Sequence, residues 1–214
     1  MSNNNVAPRS WSDYYKAIAN RPPRETLLTA LTNFERDLSK AESKIAVDLG
    51  CGEGRDTVEL LRRGWNVIAI DAEEEAITRL LQRSDINTKL LQTHVAQFEN
   101  IRLPESVNLI NASFSLPFCE PKSFADLWNK IVCSLAHGGR FSGQLFGDTR
   151  SVMPPAYRDS WAADSTINHH TLSDVESLLQ LFEIESLKEE ASDGKTALGK
   201  EKHWHIFHIV ARKK

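Results

Sequence analysis

The segment from Val47 to Gly54, Val-Asp-Leu-Gly-Cys-Gly-Glu-Gly, constrains this chain more than any other. A short apolar run (residues 44–49) ends there in an acid and a glycine cluster, and a helical pattern (57–63) follows and stops at Gly64. Apolar run, glycines and helix in that order read as a buried strand entering a tight turn. Glycines so placed let backbone approach a ligand closely at a helix N-terminus.

A second apolar run, 65–70, ends at Asp71, and Glu73, Glu74 and Glu75 then open a helix through residue 83. Their carboxylates favour the positive end of a helix. Strands are expected at 88–95, 107–112 and 140–146, with a helix at 122–136 before a Gly138-Gly139 turn. Strands alternating with helices imply a parallel sheet covered on both faces. Upstream, helices are expected at 11–20 and 24–39, the second after Pro22-Pro23. Residues 147–168 read as a loop long enough to be a lid. A helix at 171–181 starts on a capping-box pattern with Asp174 in place of the usual Glu, and 183–190 with 203–211 form a hairpin.

The glycine loop departs from a dinucleotide fingerprint. Arg55 stands where a third glycine belongs, and Asp48 and Glu53 would lie beside a pyrophosphate. S-adenosylmethionine (SAM) carries no phosphate, and its sulfonium and ammonium favour a nearby carboxylate. Asp71, about 20 residues on, stands where a carboxylate accepts hydrogen bonds from ribose hydroxyls.

With those residues in place the chain resembles the class I SAM-dependent methyltransferases, within them a bacterial small-molecule or tellurite-resistance-type group. The resemblance spans residues 45–146 and, more loosely, the rest. It implies a doubly wound, Rossmann-like α/β sandwich whose mostly parallel, seven-stranded sheet has an antiparallel last strand. The division expected is an N-terminal helical cap (1–43) on a SAM-binding core (44–214), one domain overall. The implied cofactor set is Asp48, Gly50, Cys51, Gly52 and Arg55 from the loop, Asp71 and Ala72 after the second strand, Gln97 and Phe98 near the adenine, and Asn111 and Ala112 at the end of the fourth strand. Gln97 stands where relatives place an Asp. Asn108 likewise replaces an Asp, which weakens any carboxylate-based catalysis.

His169, His170 and Tyr15 are the candidates for a catalytic group; the first two follow the lid and titrate near neutrality. Capping and surface roles compete for the two histidines, and core packing of the N-terminal helix competes for Tyr15. His203, His205 and His208 do not make a metal site, because alternation along a strand puts His208 on the face opposite the other two. Cys51, between two glycines, reads as a small buried residue rather than a nucleophile.

Composition excludes several classes. A net charge of -3 gives no basic field for bulk nucleic-acid binding. Three cysteines without metal-type spacing suggest neither a disulfide framework nor structural zinc. No apolar stretch approaches membrane-helix length, and a cytoplasmic location follows as the default. The reading is a methyltransferase using SAM, releasing S-adenosylhomocysteine (SAH), acting on a small-molecule acceptor as a monomer or weak homodimer. A non-catalytic SAM-binding module and an NAD-dependent oxidoreductase are the alternatives.

Overall fold

A computed structural model of the chain describes residues 11–19, 21–37, 44–148 and 166–214. Two helices, α1 (Trp11–Ile18) and α2 (Glu25–Arg36), precede the first strand. There follow β1 (Ile45–Leu49), α3 (Thr57–Arg62), β2 (Asn66–Asp71), α4 (Glu74–Leu81), β3 (Leu91–Val95), β4 (Val107–Ala112) and α5 (Pro121–Ser134). The chain continues through β5 (Leu135–Gly147), β6 (His169–His170), α6 (Leu172–Leu178), β7 (Phe182–Lys195) and β8 (Glu201–Lys213). Among the described residues no helix is long and apolar enough to cross a membrane.

The strands form one sheet in the order β3-β2-β1-β4-β5-β8-β7, with β6 added beside the end of β5. Pairings from β3 through β5 are parallel, and β8 runs antiparallel to both β5 and β7. The chain order reverses between β1 and β4, and open α/β sheets bind ligands at such a switch point, beyond the carboxyl ends of the strands. The sheet therefore has the doubly wound form expected, with eight strands in place of seven.

Alternation along the strands divides the core. Ala46, Val67, Leu109 and Val210 pack with Leu27, Ala30 and Leu31 of α2 and Leu60 of α3. Val47, Leu49, Ile110 and Phe141 turn the other way, toward Leu127, Trp128 and Ile131 of α5 and Val175 of α6. α2 is thus built into one face of the sheet, while α1 lies across the strand ends.

Four local expectations need correction. Residues 88–90 form a 3-10 turn, because the Asn87 side chain accepts the Lys89 N–H (3.1 Å) and curls the backbone before β3 begins. The Gly138-Gly139 pair is a bulge within β5 rather than a turn before it. Gly138 has φ +76°, a Cβ on Gly139 would overlap the Ala136 and Val107 carbonyls, and the β4–β5 register shifts beside it. His169 and His170, which the sequence leaves between the expected lid and the helix at 171–181, form a short strand. The helix follows them on a complete capping box, in which Asp174 N–H donates to Thr171 Oγ1 (3.2 Å) and Thr171 N–H to Asp174 Oδ2 (2.7 Å). The hairpin is longer than its apolar runs, because β7 and β8 stay paired out to Lys195 and Glu201. Of the expected lid, residues 149–165 lie outside the described residues, as do residues 1–10 and the end of the second expected helix.

Candidate active site

The site grows from the turn after β1. Gly50 and Cys51 both donate their N–H to the Ile70 carbonyl (2.7 and 3.0 Å), and Gly52 N–H donates to Asp71 Oδ2 (2.8 Å). The other Asp71 oxygen accepts from Glu73 N–H (2.9 Å), ahead of α4. One carboxylate thus ties the glycine loop to the next helix. Burial raises the Asp71 pKa, and its backbone donors oppose that rise.

The glycines are required for reasons that spacing alone does not reveal. Gly50 has φ +71° and a Cβ there would overlap Ser115 Cβ; Gly54 has φ +91° and faces the Leu80 side chain in the same way. Gly52, at φ +55°, has a freer face, where a Cβ would stand an ordinary 3.5 Å from the Tyr15 ring. Two glycines thus admit protein neighbours, and the third lies under α1.

Below the loop, one register row sets Asp48, Asn111 and Ser142 side by side on the face covered by α2 and α3. Asn111 Nδ2 donates to Asp48 (2.9 Å) and Asp56 (3.1 Å), and its Oδ1 accepts from Ser142 (2.8 Å). Thr57 Oγ1 donates to Asp48 (2.6 Å), while Asp56 accepts Ser113 Oγ (2.6 Å) and the Arg24 N–H (2.9 Å). Asp48 is therefore a buried organiser, 2% exposed, and does not reach the surface of the crevice. Burial first, and then the Asp56 carboxylate, push its pKa up to about 7.

That shift fixes a pH dependence. The unfolded carboxyl loses its proton near the reference 3.8, whereas the folded one keeps it until about 7. The native state then binds more protons in this window, and stability falls as pH rises through it. Chemical denaturation from pH 4 to 8 is expected to show this decline, and Asp48→Asn to flatten it; an equal slope in the variant would remove Asp48 as the source.

The strand ends bring most of the expected residues together. Asp71, Ala72, Gln97 and Phe98 follow β2 and β3, with Gln97 exposed and Phe98 half-buried. Asn108 is elsewhere: its Oδ1 accepts the Ile45 N–H (2.9 Å) at the opposite end of the sheet. The missing acid at 108 therefore carries no information about catalysis. Arg55 donates from Nε to the Pro22 carbonyl (2.5 Å), and its Nη1 is buried without a partner.

α1 crosses this crevice. Trp11 meets Phe118 edge-on (5.4 Å), Ser12 donates to Glu75 (3.0 Å), and Tyr15 is buried against Gly52. Burial, then the Asp71 and Glu73 charges, raise the Tyr15 pKa far above the tyrosine range. Its hydroxyl stays protonated and suits a donor, not a base. His170 packs against Phe124 of α5 (4.7 Å), on the face away from α2, and burial lowers its pKa. His169 lies 6.3 Å from Phe146, on the crevice side.

Sequence reading set His208 aside with the hairpin histidines. In the structure it pairs in register with Gln144 of β5, meets Phe114 edge-on (6.3 Å), and its Nε2 faces Glu190 Oε2 (3.2 Å). Burial lowers its pKa, which favours the neutral ring. With Nε2–H donated to Glu190, the lone pair lies on Nδ1, as a proton acceptor requires. Only the long-range pairing of β5 with β8 brings it to the crevice. His203 and His205 pair with Asp193 and Glu189 (both 2.7 Å), and the described residues hold no cluster suited to a metal.

With this geometry in place, comparison with known proteins is informative. The family described as "methyltransferase domain" matches residues 46–139. A ubiquinone biosynthesis O-methyltransferase of Rickettsia typhi is 36% identical over 86 residues, which cover 39% of this chain and 34% of that protein. The match thus spans about a third of that relative's length. The fold resembles TehB of Haemophilus influenzae (TM-score 0.71, 17% identity, 96% of this chain and 68% of that one). It also resembles a Burkholderia thailandensis 1,6-didemethyltoxoflavin-N1-methyltransferase crystallised with 1,6-didemethyltoxoflavin and SAH (TM-score 0.63, 18% identity, 95% and 84% covered).

Proposed function

We propose, from the premise that this chain belongs to the methyltransferase domain family across residues 46–139, that it is a SAM-dependent methyltransferase acting on a small organic acceptor. The commitment of the glycine loop's amides carries this reading. A diphosphate needs free N–H groups and a helix N-terminus clear of acids. Here Gly50, Cys51 and Gly52 already donate inside the protein, and Asp48 and Asp56 are buried where α3 begins. What the crevice offers instead is carboxylate and carbonyl oxygen, suited to hydroxyl and cationic groups. This also disfavours an NAD-dependent oxidoreductase.

The residues present fit SAM: Asp71 for the ribose hydroxyls, Gln97 and Phe98 for the adenine, and Tyr15 beside the glycine loop for the amino-acid end. When bound, SAM supplies a methyl group made electrophilic by its sulfonium. The protein's work is to orient the acceptor and exclude water. α1 covers the loop, Tyr15 donates a hydrogen bond without titrating, and His208, oriented by Glu190, receives the proton of a hydroxyl or N–H acceptor.

Calorimetric titration with SAH, with NADH in parallel, tests the reading. Micromolar binding of SAH alone is expected, and Asp71→Ala is expected to weaken it by about 1.5–3 kcal/mol, the scale of a charge-assisted hydrogen bond. Folded protein that binds NADH and ignores SAH would overturn the cofactor assignment. Unchanged SAH affinity in folded Asp71→Ala would remove Asp71 from the ribose site.

A further inference from the structure

Two buried ring nitrogens on the sheet face away from α2 take no part in the crevice: His170 Nε2 and His205 Nδ1, neither of which has a hydrogen-bond partner among the described residues. One glycine lies between the two rings. Gly147 of β5 pairs in register with His170 of β6, and on its other side a Cβ on Gly147 would overlap the His205 ring. Both rings thus flank the end of β5 on the side of Phe124 and Phe207, which they meet at 4.7 and 5.2 Å. Glu189 of β7 holds His205 at Nε2 (2.7 Å). The acid nearest in effect to His170 is Asp174, and Thr171 engages it in the α6 capping box.

β6 is short, and what precedes it braces the crevice. Its attachment to β5 consists of the rows Phe146–His169 and Gly147–His170 and of the Asp148 N–H donating to the His170 carbonyl (2.9 Å). Ile167 is buried with Phe146 and Ile206. Asn168 donates its N–H to the Pro117 carbonyl (2.8 Å) and its Nδ2 to the Cys119 carbonyl. Between those two carbonyls stands Phe118, which meets Phe146 (6.0 Å) and Trp11 of α1. A change at His170 is therefore passed through residues 167–169 to the wall on which α1 rests.

We propose that His170 is a proton-sensitive latch: its neutral ring clamps β6 to β5, and protonation releases residues 167–170 and loosens the crevice wall. A neutral ring can present its lone pair at the unpartnered Nε2, whereas an imidazolium carries a donor on both nitrogens and a charge with no partner there. Release into water removes that cost. His169 on the same strand and His205 across Gly147 add repulsion when they are charged, while Asp174 and Asp148, just past β5, oppose it. Burial is the largest influence and lowers the His170 pKa from its ordinary 6.5. The released segment then takes up the proton more readily than the clamped one. Clamping is at full strength above about 6.5 and is lost as pH falls through the lowered folded value.

Amide hydrogen exchange at pH 7.5 and 5.5, corrected for intrinsic rates, tests this in wild type and His170→Gln, alongside NMR titration of the histidine rings. Between those pH values the Asp148 and Asn168 amides of wild type are expected to lose about five- to tenfold in protection relative to β4 amides, the factor for one proton taken up by the released form. His170→Gln should hold the change within about twofold. His208, whose pKa burial also lowers, remains in that variant and so cannot account for the difference. The wild-type His170 ring should titrate below 6.5, in step with the loss of protection. Protection that is independent of pH in wild type, an equal loss in His170→Gln, or a His170 ring titrating at or above 6.5 overturns the proposal. Should the variant fail to fold, the wild-type exchange and ring titration still decide.

Discussion

Gly50→Ala is expected to lower stability by about 2–5 kcal/mol, the sum of left-handed strain and an overpacked contact, and to abolish detectable SAH binding. Both terms are visible: φ is +71°, and the new Cβ would overlap Ser115 Cβ. Ser115 cannot simply retreat, because its Oγ donates to the Leu49 carbonyl (2.5 Å) in the strand that carries the loop. Relief must then come from separating the loop from the turn after β4, which opens the crevice. In a Ser115→Gly background the overlap is gone and only the strain remains, so the two substitutions should couple by more than about 1 kcal/mol. Urea denaturation of the four proteins measures this. Additive losses would mean that the close approach is not what makes glycine necessary.

The second large effect is far from the crevice. Arg140 on β5 is 1% exposed, yet donates from Nε and Nη2 to both oxygens of Glu185 on β7 (2.8 and 2.6 Å) and from Nη2 to Asp37 after α2 (2.7 Å). Its guanidinium also lies 4.5 Å over the Phe34 ring. Arg140→Ala leaves Glu185 largely buried without its cation, and breaking such a pair costs about 3–5 kcal/mol. Replacing both charges, Arg140→Met with Glu185→Leu, should recover much of that loss, since well-packed apolar groups often match a buried pair. The urea midpoints of the single and double variants decide. A double variant no more stable than Arg140→Ala would show that packing of the arginine stem, not the stranded charge, is the cause.

The parts of this fold visible in the sequence are those whose signals are local. The acid-glycine segment, the apolar runs ending at Leu49 and Ile70, and the Thr171–Asp174 capping pattern each lie within a few residues, and each appears in the structure where expected. The misreadings share a physical origin in contacts between distant segments. Gly138-Gly139 looks like any glycine turn until the β4 carbonyls press on it. His169 and His170 become a strand only because the end of β5 has a side free to pair.

The same holds for the site. Asp71 was legible from its distance to the glycines, and Asp48 was rightly placed at a strand end, but its depth depends on Asn111 and Thr57, which the sequence does not put beside it. Arg24 and His208 lie near opposite ends of the chain. No motif joins them; α2 packs on one face of the sheet and β8 pairs along the edge of β5, and that arrangement brings them together.

The free edge of β7 has a consequence for molecules that meet one another. This strand ends the sheet, and no described strand covers its outer side. An uncovered edge of this length is a template for adding a strand from another copy. Along it, Glu183, Lys188, Glu189, Asp193 and Lys195 are exposed, and the pairing shifts register between Ile184 and Ser186. A second copy laid against this edge would meet charge that must be desolvated and a ladder broken at the bulge. The edge therefore resists aggregation in crowded solution through its own side chains, and high salt, by screening them, is the condition in which that resistance weakens.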